Sequence, residues 1–255
     1  MHLKPLLFLC CAALFFSSCS KVYSPALYHQ DIAYQPKPAS FDSVKSASYV
    51  SAGINTYTAN NLNDLLVSSQ VNLSRGYVFN NFNLAYGAFG VFGDYSNGTI
   101  AKGDPNYFSD KFFGAVGGRM SMNMFVNSGR TDFRFIGFEA AYSHEFGSFA
   151  NFRQSVKSDP GYYVDPRTDL LTIGLSTEVL FHNVKDSGFQ HGIRGFFGTT
   201  LGHNDLDDNY YTTNTSESKF FRNFFPKASY FIKFKNYFGT FEAGENIFVR
   251  FGLKF

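Results

Sequence analysis

Hydrophobic and polar residues alternate along most of this chain. From Ser46 to the C-terminus the period is two, and no apolar stripe with a helical period interrupts it. Successive side chains of a strand point to opposite faces, so each alternating segment has one apolar and one polar face. The pattern predicts ten strands: Ser48–Tyr57, Val67–Phe79, Phe82–Phe92, Phe112–Val126, Asp132–Phe146, Leu171–His182, Gln190–Gly202, Ala228–Lys235, Asn236–Ala243 and Ile247–Phe255.

The last strand, Ile247–Phe255, carries the alternation most clearly. Its apolar face ends at Phe255, and its polar face carries Arg250 and Lys254. A short turn joins it to the preceding strand, so the pattern predicts that these two strands form a closing hairpin. We expect the last strand to pair with the first. The two cations need carboxylates, and Glu242 on the preceding strand is the nearest in sequence.

The connections between the predicted strands alternate between short turns and long polar loops. In these features, and in the terminal aromatic residue, the chain resembles bacterial outer-membrane β-barrels, which have short periplasmic turns and long outer loops. The resemblance implies an all-β fold: a closed antiparallel up-and-down transmembrane β-barrel over residues 46–255, with Phe255 as the assembly signal. An eight-stranded barrel is the alternative. The long loops are Ala59–Leu66, Asp94–Lys111, Gly147–Asp169 and His203–Phe220.

The same resemblance implies a location in the outer membrane, contact with its lipids, and assembly by the barrel-assembly machinery. The strands, rich in Phe, Tyr and Asn, are similar in style to outer-membrane proteins of the Bacteroidota.

Composition agrees with a surface that has lipid on one side and water on the other. Aromatic residues make up 19% of the chain and charged residues 16%, where soluble domains carry about a quarter. The mean hydropathy is nevertheless −0.15, because polar residues are interleaved. The net charge of +2 argues against nucleic acid as a partner. The body of the chain has no 18-residue apolar run.

The N-terminus has the parts of an export signal. Lys4 gives a positive start, Pro5–Phe16 is apolar, and two serines precede Cys19. This pattern predicts that residues 1–18 are a signal peptide, and they resemble a bacterial lipoprotein signal. That resemblance implies that Cys19 carries an acyl group such as palmitate. An ordinary signal peptide with a chance cysteine is the alternative. Cys10 and Cys11 would leave with the signal, so no disulfide framework is expected.

We predict that residues 19–45 form a lipidated, extended arm or tether. The segment holds Pro25, Pro36 and Pro38 and has no clear period. The charged triplet found after the cysteine of some surface-exported lipoproteins is missing. This favours an arm on the periplasmic side.

The polar faces of the predicted strands carry charges of both signs. A small barrel has an interior just wide enough for side chains, and a buried charge needs a partner. We therefore predict an interior ion-pair network that fills the lumen; a narrow channel for ions or small solutes is the alternative. The network residues are Arg119, Glu139, Glu145, Glu178, Arg194, Lys233, Glu242, Arg250 and Lys254.

Other candidate chemistry is weak. Ser143-His144-Glu145 offers a hydroxyl, an imidazole and a carboxylate, but on a strand the histidine points away from both neighbours, so we expect no enzyme activity. Asp205, Asp207 and Asn209 have the oxygen spacing of a calcium loop, but Tyr210 stands where that loop needs glycine. We expect no metal site and no cofactor.

The leading hypothesis is a small outer-membrane barrel with a structural or surface-binding role. Its long loops, rich in Tyr, Asn, Ser and Gly, suit an extracellular ligand. Besides the channel, two alternatives remain open: an envelope-lipid-modifying barrel enzyme, and a lipid-anchored soluble periplasmic β-protein.

Overall fold

A computed structural model of the chain describes residues 21–59, 63–182, 188–201 and 224–255. In chain order, these residues form β1 (Lys21–Tyr23), β2 (Ser46–Thr58), β3 (Leu65–Val78), β4 (Phe82–Ser96), β5 (Asp110–Ser128), β6 (Thr131–Phe146), α1 (Ser148–Val156), β7 (Tyr162–Val164), β8 (Asp169–His182), β9 (Phe189–Thr200), β10 (Phe224–Phe234), β11 (Tyr237–Ala243) and β12 (Asn246–Lys254).

Ten of these strands, β2–β6 and β8–β12, form a closed antiparallel barrel. Each pairs with its neighbours in chain order, and β12 closes on β2 with Leu253 opposite Val50 and Arg250 opposite Gly53. Closure leaves no strand edge unpaired, which is the condition for a sheet in lipid. The predicted ten-stranded up-and-down barrel and its closing pair are confirmed, and the eight-stranded alternative is wrong.

The outward face of the barrel is apolar between its two ends. The outward charged residues Arg75, Asp94, Asp110 and Asp169 all lie within three residues of a strand end. In the described part of the chain, no helix is both long and apolar enough to cross a membrane. Exposed apolar side chains occur on successive strands around the barrel: Ile54, Val71, Leu73, Phe92, Val116, Met122, Ile136, Leu175, Ile193, Phe241 and Phe251.

Residues 21–45, called the N-terminal segment below, differ from the predicted tether. They are buried inside the barrel for most of their length. At the long-loop end, β1 pairs in parallel with β7, which lies in the connection between β6 and β8. At the short-turn end, the backbone N–H of Ser40 donates to Asp132, near the β5–β6 turn. The segment shows no period because wall residues surround it on all sides.

Aromatic side chains close the lumen above the segment at the long-loop end. The Tyr95 and Phe149 rings stack with centroids 4.1 Å apart, and the Tyr23 ring meets Phe152 edge-on at 5.3 Å. Phe149 and Phe152 belong to α1. This short helix therefore covers the long-loop end of the lumen and is called the lid below. Tyr95, near the end of β4, faces inward and is buried.

One irregularity in β6 reverses the side-chain alternation. Its register shifts between Arg134 and Gly137, where Phe135 and Ile136 are both exposed. A bulge inserts one extra residue and so shifts the phase of the alternation. Counting back from the residues after the bulge therefore assigns the residues before it to the wrong face. Arg134 and Asp132 therefore face the lumen, whereas strict alternation from Ile136 would place them on the outward face.

Candidate functional site: the lumen and its N-terminal segment

The predicted network residues all lie on the inner face of the barrel. Eight are buried, and Lys254, close to the short-turn end, is partly exposed. Two ion pairs of the wall join predicted residues: Arg194 with Glu139, and Arg250 with Glu242. A third joins Glu178 to Arg134, which the sequence analysis did not predict. The remaining members also contact the N-terminal segment or the lid, and these contacts define the site.

Glu145 joins the lid to the top of the segment. Its carboxylate accepts from the backbone N–H of Ala26 at 2.7 Å and from the Arg153 guanidinium of α1 at 2.8 Å. Glu145 and Arg153 are both fully buried, so each needs the other. The lid and the segment therefore share one buried carboxylate.

Lys21 fixes the start of the described segment to the long loop between β4 and β5. Its ammonium lies 2.5 Å from the Asp104 carboxylate and 3.2 Å from the Tyr162 hydroxyl. Burial disfavours the charged form of Lys21, but these hydrogen bonds outweigh it and raise its pKa. The same hydrogen bond lowers the pKa of Asp104.

Two wall cations hold the middle of the segment by its carbonyl groups. The Arg119 guanidinium donates to the backbone oxygen of Asp31 and, at 2.7 Å, to the side chain of Asn72. The Lys227 ammonium donates to the backbone oxygen of Ile32 at 3.0 Å. Lys227 lies just before the predicted start of its strand and was therefore missed.

Tyr34 is bound by the barrel wall through three of its polar groups. Its backbone N–H donates to Glu242 at 2.9 Å, and its backbone oxygen accepts from Arg250 at 2.7 Å. Glu242 and Arg250 also pair with each other at 2.6 Å, as expected for the closing hairpin. The Tyr34 hydroxyl donates to Glu178 at 2.5 Å. One residue of the segment is thus bound through its backbone and its side chain.

Arg134 binds the wall and the segment together. It donates to Glu178 at 2.8 Å and to the backbone oxygen of Pro38 at 3.1 Å. Its side chain is fully buried. Arg194, by contrast, bonds only wall residues among those described here: Glu139 at 2.8 Å and Ser229 at 3.0 Å.

The bottom of the segment is held by Asp132 and by Asp42. Asp132 accepts from the backbone N–H of Ser40 at 2.6 Å. Asp42 lies 3.3 Å from the Lys254 ammonium and 3.6 Å from that of Lys233. Burial disfavours the ionised form of Asp42, but the two lysines outweigh it and hold its pKa below the usual range.

These contacts follow one chemical rule. Buried carboxylates accept from backbone N–H groups, and buried guanidinium or ammonium groups donate to backbone oxygens. Hydrogen bonds with one charged partner are about twice as strong as neutral ones. The wall therefore binds the backbone of a polypeptide, and in this structure that polypeptide is the chain's own N-terminal segment.

The Ser143-His144-Glu145 triplet does not converge on one site. Ser143 and Glu145 face the lumen, whereas His144 faces outward and lies 3.0 Å from Asp169. The Ser143 hydroxyl instead donates to Asp31 at 3.4 Å. No relay of the kind that activates a serine nucleophile is formed by these three residues.

The remaining predicted residues are placed as follows. Phe255 is 70% exposed on the outward face, and its backbone pairs with Ser48. Cys19 and the weak calcium candidates Asp205, Asp207 and Asn209 lie outside the described residues. Among the residues the structure does describe, no three His, Cys, Asp or Glu side chains gather as a metal site would require.

Comparison with known proteins gives structural likenesses only. No protein-family model and no curated protein sequence matches the chain. The chain is similar to the transport unit of the autotransporter AIDA-I from Escherichia coli, with 8% identity over 88% of this chain and 94% of that one and a TM-score of 0.42. It is also similar to the outer membrane protein OprG from Pseudomonas aeruginosa, with 11% identity over 83% and 97% of the two chains and a TM-score of 0.33. The attachment invasion locus protein Ail of Yersinia pestis matches at 10% identity over 83% and 100%, with a TM-score of 0.25. The barrel assignment comes from the strand pairing itself.

Proposed function

We propose that this chain is an outer-membrane β-barrel sealed by its own N-terminal segment, with a structural or surface-binding role. The observation that carries the proposal is the filled lumen, in which buried charges of the wall bind the backbone of residues 21–45. A barrel filled in this way serves as a membrane-held platform for its loops, and its lid and outer loops would meet any extracellular ligand.

The outward face supports the membrane location. Soluble monomers rarely expose a contiguous apolar patch larger than roughly 300–600 Å². Here the exposed apolar residues occur on strands all around the barrel, and the outward charges stay at the strand ends. A lipid-anchored soluble barrel would need polar side chains at these outward positions.

The sealed lumen is tested by conductance in planar bilayers. We expect the full chain to give no steady current, because residues such as Tyr34 and Arg119 fill the cross-section. Heat-modifiable migration in mild detergent electrophoresis confirms that the sample used is folded. A steady single-channel current from folded protein would refute the sealed state.

A narrow channel for ions or small solutes is the second candidate. It is favoured by the chemistry of the wall, since polar and charged side chains of both signs line the barrel behind the segment. Apart from its peptide link to β2, the described segment is held in the lumen by hydrogen bonds and ion pairs. In this case the same bilayer measurement gives a steady current, and Arg119→Gln changes its ion selectivity.

Export and anchoring form the last part of the proposal. Residues 1–18 would direct export, Cys19 would carry an acyl group such as palmitate, and Phe255 would serve the barrel-assembly machinery. Metabolic labelling with a fatty acid tests the anchor. We expect labelling of the wild-type protein and none of Cys19→Ala; equal labelling of both would refute acylation at Cys19.

A further inference from the structure

The N-terminal segment has a direction, and that direction determines at which end of the barrel its first described residue, Lys21, lies. Lys21 lies at the long-loop end of the barrel, bound to Asp104 of the β4–β5 loop. Its partner in the β1–β7 ladder is Tyr162, in the β6–β8 connection. Both contacts are made by outer-loop residues rather than by the short turns.

The other end of the segment lies at the short turns. Asp42 contacts Lys254 near the end of β12 and accepts from Gln190 near the start of β9. Lys45 then leads directly into β2. The chain therefore runs from the long-loop end, down the lumen, and into the first barrel strand at the short-turn end.

In outer-membrane barrels the long loops face outward and the short turns face the periplasm. We propose that Lys21 lies at the cell-surface end of the lumen, so that the N-terminal segment runs from the cell surface down to the periplasmic turns. This inference rests on the proposed function, because it requires the barrel to span the outer membrane.

The contacts along the lumen make this direction specific. Glu145 accepts from Ala26 near the lid, Glu242 accepts from Tyr34, and Asp132 accepts from Ser40 near the turns. These three carboxylates bind three backbone N–H groups spaced along the segment from its long-loop end to its short-turn end. A reversed segment would bring different groups to each carboxylate and would lose the β1–β7 ladder.

Cysteine labelling on intact cells tests the inference, with the wild-type chain, which keeps Cys19, as the background to be subtracted. The probe is a membrane-impermeant maleimide, and the test variant is Ser20→Cys in the full chain. Lys102→Cys, in an exposed outer loop, is the surface control, and Asn81→Cys, in an exposed short turn, is the periplasmic control. Heat-modifiable migration shows that each variant is folded.

We expect Ser20→Cys to be labelled on intact cells to the same extent as Lys102→Cys, and Asn81→Cys only after the outer membrane is permeabilised. Labelling of Ser20→Cys only after permeabilisation, together with Asn81→Cys, would overturn the inference. If Lys102→Cys itself reacts only after permeabilisation, the proposed orientation or location has failed, which is a separate result.

A disulfide test decides the case in which Ser20→Cys does not react under either condition. Lys21 and Tyr162 are directly opposite in the β1–β7 ladder, so Lys21→Cys with Tyr162→Cys should form a disulfide. Oxidised protein that is folded and shifted on a gel places Lys21 at the long-loop end. A thiol pair that stays reduced under oxidising conditions overturns the inference.

Discussion

The Glu178–Arg134 pair offers the sharpest test of the filled lumen. Its side chains are 2% and 0% exposed and lie 2.8 Å apart. Glu178 also accepts from the Tyr34 hydroxyl, so it connects the wall to the N-terminal segment. The substitution Glu178→Gln keeps the shape of the side chain and removes its charge, which leaves Arg134 buried without a carboxylate.

The expected loss follows from the geometry of the pair. At 2.8 Å and an effective dielectric constant of about 20, the Coulomb attraction is ~6 kcal/mol. Desolvation of both groups offsets part of it, and removing one partner of a buried pair costs about 3–5 kcal/mol. The glutamine oxygen still accepts a hydrogen bond, so we expect the lower end, a loss of about 3 kcal/mol in the free energy of unfolding.

Urea unfolding in detergent micelles measures this loss. The chain has no tryptophan, so far-UV circular dichroism and gel mobility of the folded form should serve as probes. Asp169→Asn is the matched control, because its pair with His144 is about half exposed and should contribute less than about 1 kcal/mol. Equal midpoints for Glu178→Gln and Asp169→Asn would refute the idea that a buried pair holds the segment.

Three further predictions concern the segment and the closing strand. Tyr34→Phe should destabilise the barrel by about 1.5–3 kcal/mol in urea, because a hydrogen bond to a charged group is lost; an unchanged midpoint would contradict the role of this hydroxyl. Because the folded-state pKa of Asp42 lies below its unfolded value of about 3.9, Asp42 stabilises above that pH and its contribution is lost as the pH falls through the folded-state pKa. Asp42→Asn should therefore unfold at lower urea than wild type at pH 7, and the gap should close below about pH 4; a gap independent of pH would count against the prediction. Phe255→Ser should reduce the amount of folded, heat-modifiable protein in outer-membrane fractions, since the aromatic ring is exposed while the backbone pairing with Ser48 can persist; unchanged amounts would argue against an assembly role.

Local sequence was enough to determine the strands and most of their faces, whereas closure of the barrel was implied by the resemblance to outer-membrane barrels. Period-two alternation depends only on neighbouring residues, and a strand turns it directly into an inner and an outer face. The polar face of β12 was assigned in this way. Since Arg250 and Glu242 lie on the two strands of one short hairpin, their pairing also followed from the chain order.

Only the tertiary structure decided what fills the barrel. A bulge in β6 turns Arg134 inward, and no periodic rule predicts where one extra residue is inserted. The N-terminal segment gave no periodic signal because its partners, such as Glu145, Glu242 and Asp132, come from separate strands that meet only after closure. Its prolines and irregular pattern predicted a tether, since an extended chain looks the same locally whether water or a protein wall satisfies its backbone. The difference arises from hydrogen bonds between residues far apart in sequence, and those exist only in the folded barrel.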